Sequence, residues 1–200
     1  MVPIGITKSG NWVLEADDAD RLTVKNGVFP EVDPANPTIL FTADSTATQL
    51  VVQSDVPDVL EQVDVAFPVL HGPWGEDGTI QGLLELAGIP YVGSGVFASA
   101  AAMDKAHLKA MMQSAGLPIG PYEVISNAQW VNDQAGCLSR IQELGLPVFV
   151  KPCRAGSSVG ISKVKSHNEL TAAIESARMH DPKVIVEASI ENAREIECGV

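Results

Sequence analysis

PVFVKPCRAGSSVG, residues 147–160, is an apolar strand that runs into a lysine and then into a turn of small residues. Phe149 and Val150 are good strand formers. Lys151 puts a compact cation where the strand ends, and Pro152 blocks further ladder pairing. Beyond it, Gly156, Ser157, Ser158 and Gly160 let backbone amides and hydroxyls come close to an anion. This is the chemistry of a phosphate grip. On the loop alone, a plain surface hairpin between strands at 147–151 and 161–164 accounts for the pattern equally well, so the surrounding sequence has to discriminate.

Order along the chain excludes two common nucleotide motifs. A GxxxxGK[ST] loop places its lysine after the glycines, whereas Lys151 comes before them. No GxGxxG follows a strand, so a dinucleotide fingerprint is absent. A lysine-first loop between two antiparallel strands instead resembles the lid of the ATP-grasp enzymes.

Composition narrows the class further. Two hundred residues, 46% hydrophobic and 19% charged, suffice for one large or two small cores, and motifs in both halves favour two. Thirteen basic against 25 acidic residues give a net charge of −12, which opposes binding to nucleic acid or an anionic membrane and suits a small ligand. Cys137, Cys153 and Cys198 form neither a disulfide framework nor a CxxC metal pattern, as expected of a reduced, cytoplasmic protein. Met1 leads into VPIGIT without a basic n-region or long apolar segment, so neither export nor membrane insertion is expected.

Along the chain, residues 3–14 read as two short strands about a Lys8–Asn11 turn, with further short strands near 38–41 and 49–52. The run VDVAFPVL, residues 63–70, has the continuous apolarity of a strand covered on both faces. It leads into HGPWGEDGTIQGLLELAG, residues 71–88, where Ile80, Leu83, Leu84 and Ala87 recur at helical spacing. Gly88 supplies a stop, and Asp77 or Thr79 caps the start. A short strand is expected at 89–92. Ligands of α/β units bind beyond the strands' carboxyl ends, which makes His71 and Glu76 candidates. Against that stand a buried, hydrogen-bonded histidine and a carboxylate favoured by the helix dipole.

Residues 99–115 read as helical with a break near Asp104, and Lys105 taken singly is an ordinary solvated lysine. A helix over 127–144 leads into the lysine strand. After the serine loop come a strand at 161–164, a capping-box pattern Ser166–Glu169 opening a helix that ends at Asp181–Pro182, a strand KVIVE at 183–187, and a further strand from Arg194. In that last strand Glu195 and Glu197 share one face, which ordinarily means solvent.

Together, LHGPWGEDG (70–78), GLLELAGIPYVGSG (82–95), MDK (103–105), GLP (116–118), VFVKPCRAGSSVG and VIVE…REIECGV resemble the D-alanine–D-alanine ligase family over residues 60–200, in that family's order. The resemblance implies an α/β fold, α+β in its second part. An incomplete Rossmann-like pre-ATP-grasp domain (1–98) would precede a central lid subdomain (99–190) and the start of a C-terminal subdomain (191–200). It implies an enzyme that uses ATP to activate one D-alanine as an acyl phosphate, which the amine of a second D-alanine attacks, for peptidoglycan precursor synthesis. Lys105 and Lys151 would contact the ATP phosphates, and Ser157 and Ser158 would close over them, Ser157 also belonging to a lid network. Glu187 and the Ala188 carbonyl would receive the adenine amine, the Ile190 amide would donate to the ring, and Glu195 would hold the ribose. His71, with Glu76, would line the first D-alanine pocket. A homodimer is implied for the full-length protein.

The sequence departs from the family at both ends. The glycine-rich first loop is missing, and the chain stops before the family's metal ligands, so Mg²⁺ or Mn²⁺ would be held outside these residues and none here is assigned to metal. A fragment inactive by itself is expected. Cys153, Ala155 and the turn 191–193 also depart from the pattern, and the turn loosens the register of Glu195. Two alternatives stay open: another ATP-grasp carboxylate–amine ligase, including one that takes D-lactate second, and a non-catalytic nucleotide-binding module.

Overall fold

The structure, a computed structural model, describes residues 1–41, 49–52 and 58–196. It comprises two compact units, one of residues 1–68 and 81–93, the other of residues 69–80 and 94–200. No helix among the described residues is long and apolar enough to cross a membrane.

The first unit is built from short antiparallel pairings. β1 (Ile4–Ile6) pairs with β2 (Trp12–Leu14), as the sequence predicts, and Val13 is fully buried. β3 (Ile39–Phe41), β4 (Gln49–Val52) and β5 (Asp58–Gln62) form a second antiparallel sheet. The expected doubly covered strand at 63–70 is not formed. The segment makes one parallel bridge, Ala66 to Tyr91, and leaves Val65, Phe67 and Val69 exposed. Its apolar run is alternately outward-facing, and Pro68 has no N–H to extend the ladder. The expected strand at 89–92 reduces to the same bridge. Helix α1 (Thr79–Leu86) ends as predicted, with Gly88 at φ +66° and the Ile89 amide donating to the Leu84 carbonyl at 2.9 Å.

The second unit carries α2 (Val96–Met103), α3 (Lys105–Ser114), β6 (Tyr122–Ile125), α4 (Asn127–Asn132), α5 (Gln134–Gln142), β7 (Val148–Pro152), β8 (Ser162–Val164), α6 (Leu170–Arg178) and β9 (Val184–Ala188). Its sheet runs β6-β9-β7-β8, with every pairing antiparallel. The predicted break at Asp104 is a helix cap, because its carboxylate accepts from the Ala106 and His107 amides that open α3. The helix expected over 127–144 is two helices. Asp133 leaves helical backbone and caps α5 through the Gly136 amide.

The cap expected at Ser166 does not form either, since Glu169 accepts from the Lys165 amide and Ser166 bonds to Asn168. A capping box does form at Ser126 and Gln129.

Alternation along β7 and β9 divides the sheet into two faces. Val148, Val150, Val184 and Val186, all at 0% exposure, join Trp130, Cys137, Ile141, Leu170 and Ile174 from α4, α5 and α6 in the main core. Burying such side chains is worth about 1.5–3 kcal/mol each. The opposite face presents Phe149, Lys151, Ile185 and Glu187, and there Ala106 of α3 packs with Cys153 and Ile185. The sheet is thus anchored on one side and chemically equipped on the other.

Candidate functional site

Register assembles the equipped face. Tyr122, Glu187, Phe149 and Lys163 form one cross-strand row, with Lys151 diagonal to Glu187. Lys151 Nζ lies 2.5 Å from Glu187 Oε2. The Phe149 ring is flanked by the ammonium groups of Lys151 and Lys163, at 5.6 and 5.1 Å from its centroid.

Lys105 reaches the same strand end from α3. Its Nζ donates to the carbonyls of Ala155 at 2.6 Å, Pro152 at 3.2 Å and Cys153 at 3.5 Å, so it is not the solvated lysine its isolated reading gives. Burial, and after it the charge of Lys151, lowers its pKa from the usual lysine value. Glu187 is held below the usual carboxylate range: burial would raise it, but the hydrogen bond and charge of Lys151, followed by Lys109, outweigh that. Lys105 and Lys151 therefore converge at the foot of the serine loop.

The loop's shape is enforced. Ser157 and Ser158 are exposed and adopt left-handed backbone at φ +48° and +58°, and Gly160 follows at +68°. A Cβ on Gly160 would lie 2.5 Å from His180 Cδ2 and 2.9 Å from Pro152 Cγ, so glycine is required there twice over. The loop base is tied by a contact that sequence reading does not reveal. Asp181, 2% exposed, takes a two-point contact from the Arg154 guanidinium at 2.7 and 3.0 Å, and accepts from the backbone amides of Arg154 and Lys183. Lys183 also pairs with Asp104 at 2.8 Å, which links the α3 cap to β9.

The HGPWGEDG loop is closed by its own carboxylates. Glu76 Oε2 accepts from the Gly72 amide at 2.5 Å. Asp77 accepts from the Trp74 amide at 2.9 Å and from that of Thr79 at 3.0 Å, which makes Asp77 the residue that caps α1. His71 is exposed, which removes the buried-histidine reading. A cavity of about 800 Å³ in this unit is lined by Pro73, Asp77, Phe97, Asp104, His107 and Arg154 among others, and His71 and Glu76 are not among its lining residues.

At the other end, Ala188 donates to the Pro121 carbonyl, Ile190 is 68% exposed, and Glu195 is exposed in residues 193–196, which form no strand. The strand expected from Arg194 therefore does not begin by residue 196, and Glu197 lies outside the described residues. No group of three or more His, Cys, Asp or Glu side chains among the described residues can hold a metal ion.

An antiparallel sheet with α4, α5 and α6 on one face and α3 on the other, whose lysine-bearing strand feeds a glycine–serine loop, is the architecture of the ATP-grasp class. Comparison with known proteins narrows it. The profile of the D-ala D-ala ligase N-terminus matches residues 1–94, and that of the D-ala D-ala ligase C-terminus matches residues 111–200. The sequence is 51% identical over 202 residues to a D-alanine–D-alanine ligase of Paenarthrobacter aurescens, and 54% identical over 203 residues to one of Mycobacterium ulcerans. Each alignment covers 100% of this chain and 53% of the relative.

Among solved structures, a D-Ala:D-Ser ligase from Enterococcus faecalis superposes with a TM-score of 0.80 at 37% identity, over 95% of this chain and 53% of that one. A D-alanine–D-alanine ligase from Coxiella burnetii gives 0.73 at 31% identity, over 94% and 51%. The chain belongs to the D-alanine–D-alanine ligase family. It spans about half the length of the curated relatives it matches.

Proposed function

We propose that this chain supplies the nucleotide lid and part of the first-substrate site of a cytoplasmic, ATP-dependent D-alanine–D-alanine ligase serving peptidoglycan precursor synthesis. The observation that carries the reading is the convergence of Lys105 and Lys151 on the strand end that feeds the Ser157 loop. Two ammonium groups beside exposed loop hydroxyls suit a polyphosphate, and charge already in place there stabilises what develops during phosphoryl transfer. Lys105 and Lys151 contact the phosphates, and Ser157 and Ser158 close over them. Glu187 and the Ala188 carbonyl accept from the adenine amine, the Ile190 amide faces the ring, and Glu195 reaches the ribose. His71 and Glu76 line the pocket for the first D-alanine. Residues 1–98 act as part of the substrate domain, 99–190 as the lid subdomain and 191–200 as the start of the next.

A carboxylate is a poor electrophile, so ATP converts the first D-alanine to an acyl phosphate and the second amine displaces phosphate to form the peptide bond. Closure of the serine loop excludes water from that labile anhydride. Mg²⁺ is held by other parts of the complete polypeptide, which forms a homodimer. The D-Ala:D-Ser ligase neighbour favours one variant of this reading, in which the second substrate is a different D-amino acid.

The test is phosphate release from ATP by the complete polypeptide, with D-alanine alone, with D-alanine plus D-serine, and with D-alanine plus D-lactate. Release with D-alanine alone, yielding the dipeptide, is expected and falls about 100- to 1,000-fold in Lys151→Met. Release that ignores D-alanine overturns the reading.

A further inference from the structure

Lys109 has no part in the motifs or in the reading above. It lies on α3 four residues after Lys105, one turn along the same face. Its Nζ is 3.2 Å from Glu187 Oε1, while Lys151 Nζ is 2.5 Å from Oε2, so each carboxylate oxygen has its own lysine. The Lys109 side chain is 19% exposed, and its ammonium stands 5.4 Å from the ring centroid of Tyr122, the cross-strand neighbour of Glu187.

Two cations on one carboxylate are not equivalent once an anion arrives. Lys151 is at the strand end beside the serine loop, and a polyphosphate competes for it. If Lys151 were the sole counter-charge of Glu187, its departure would strand a half-buried carboxylate, which opposes the exchange. We propose that Lys109 is a positioning residue for nucleotide capture: it keeps Glu187 paired and anchored through Oε1, so that Lys151 can leave Oε2 for a phosphate. The vacated oxygen then accepts from an exocyclic amine on the base. The ligand class that satisfies both ends is a 6-aminopurine nucleotide, and a 6-oxo analogue presents a carbonyl acceptor where that amine would donate. This inference rests on the nucleotide reading above.

The test uses the complete polypeptide, with ATP and ITP affinities measured by calorimetry and KM and kcat by phosphate release. Lys109→Met is expected to weaken ATP binding and raise its KM about tenfold, the scale of one charge-assisted hydrogen bond, with kcat within about twofold of the parent. The preference for ATP over ITP narrows, Lys109→Arg restores most of the affinity, and in a Glu187→Gln background Lys109→Met costs little more. An unchanged KM, an equal loss for ATP and ITP, or a full additional loss in the Glu187→Gln background overturns the role. Should Lys109→Met fail to fold, failure of Lys109→Arg to hold ATP affinity does the same. If the unsubstituted protein binds no ATP, the nucleotide reading itself falls, an outcome distinct from all of these.

Discussion

The lysine loop and the HGPWGEDG loop lie in one compact unit but are held in different ways. The first is fed by β7, whose far side is locked into a core of fully buried valines, so its functional side chains stand on a face that does little of the packing. The second is closed by Glu76, Asp77 and its own backbone, and its glycines carry the geometry. A site borne by a sheet can lose a side chain and keep its shape. A site borne by a self-closed loop loses both together.

The sharpest way to break this contrast is Lys151→Met in the complete polypeptide. D-alanine-dependent phosphate release should fall about 100- to 1,000-fold, as when one transition-state donor is removed. The circular dichroism spectrum and thermal midpoint should stay close to the parent's, and a collapse of the fold would show that the two faces are not separable.

The loop side of the comparison is sharpened by two glycines with positive φ. At Gly78 (φ +91°) a Cβ would lie 2.8 Å from the Val96 carbonyl oxygen, whereas at Gly72 (φ +73°) nothing lies within 4 Å. Gly78→Ala should cost about 2–4 kcal/mol in urea unfolding, strain plus overpacking, and Gly72→Ala about 1 kcal/mol from strain alone. Equal costs would mean that close approach to α2 is not what fixes this loop.

Asp181 tests how the lysine loop is tied down. Burial alone would raise its pKa, but the Arg154 hydrogen bond and the Lys183 amide bring it below the ordinary value. A folded-state pKa below the unfolded one gives stability that is complete above the ordinary carboxylate range and is lost as pH falls through the folded value. Asp181→Asn should therefore cost about 1–3 kcal/mol at neutral pH and flatten the acid limb of the stability profile. A parallel downward shift of the whole profile would assign the effect to packing instead.

The smallest effect separates two similar caps. Ser126→Ala should cost about 1 kcal/mol in chemical denaturation because its box is closed, and Ser166→Ala no more than about 0.5 kcal/mol because no side-chain cap forms there.

Local chemistry made much of this legible in sequence. The break at Asp104 and the Gly88 stop depend on a few adjacent residues and stand where their residue types place them. The lysine strand forms but does not stop at Lys151: Pro152 lacks an N–H yet still faces Val184 as the last residue of β7, and the Cys153 amide donates to the Lys183 carbonyl at 3.0 Å. β6 passes unnoticed in the sequence reading because its four residues, YEVI, are too few to display a period, although Tyr122, Val124 and Ile125 are strong strand formers. VDVAFPVL misleads because continuous apolarity marks a doubly covered strand only when neighbours exist on both sides. Arg154 and Asp181 are 27 residues apart, and no spacing rule joins them. Lys109 does have a signal, its place one helical turn beyond Lys105, but it gains meaning only when β9 brings Glu187 beneath it.

Cys153 gives the strand end a built-in reporter. With no exposure, and with its pKa pushed up by burial to about 12, its sulfur stays protonated and shielded at neutral pH. Iodoacetamide can mark it only in moments when its packing against Ala106 of α3 and Ile185 of β9 opens. The rate at which that peptide gains the adduct's mass is therefore a clock for breathing of the backbone that carries Lys151, and a bound nucleotide that clamps this end should slow it.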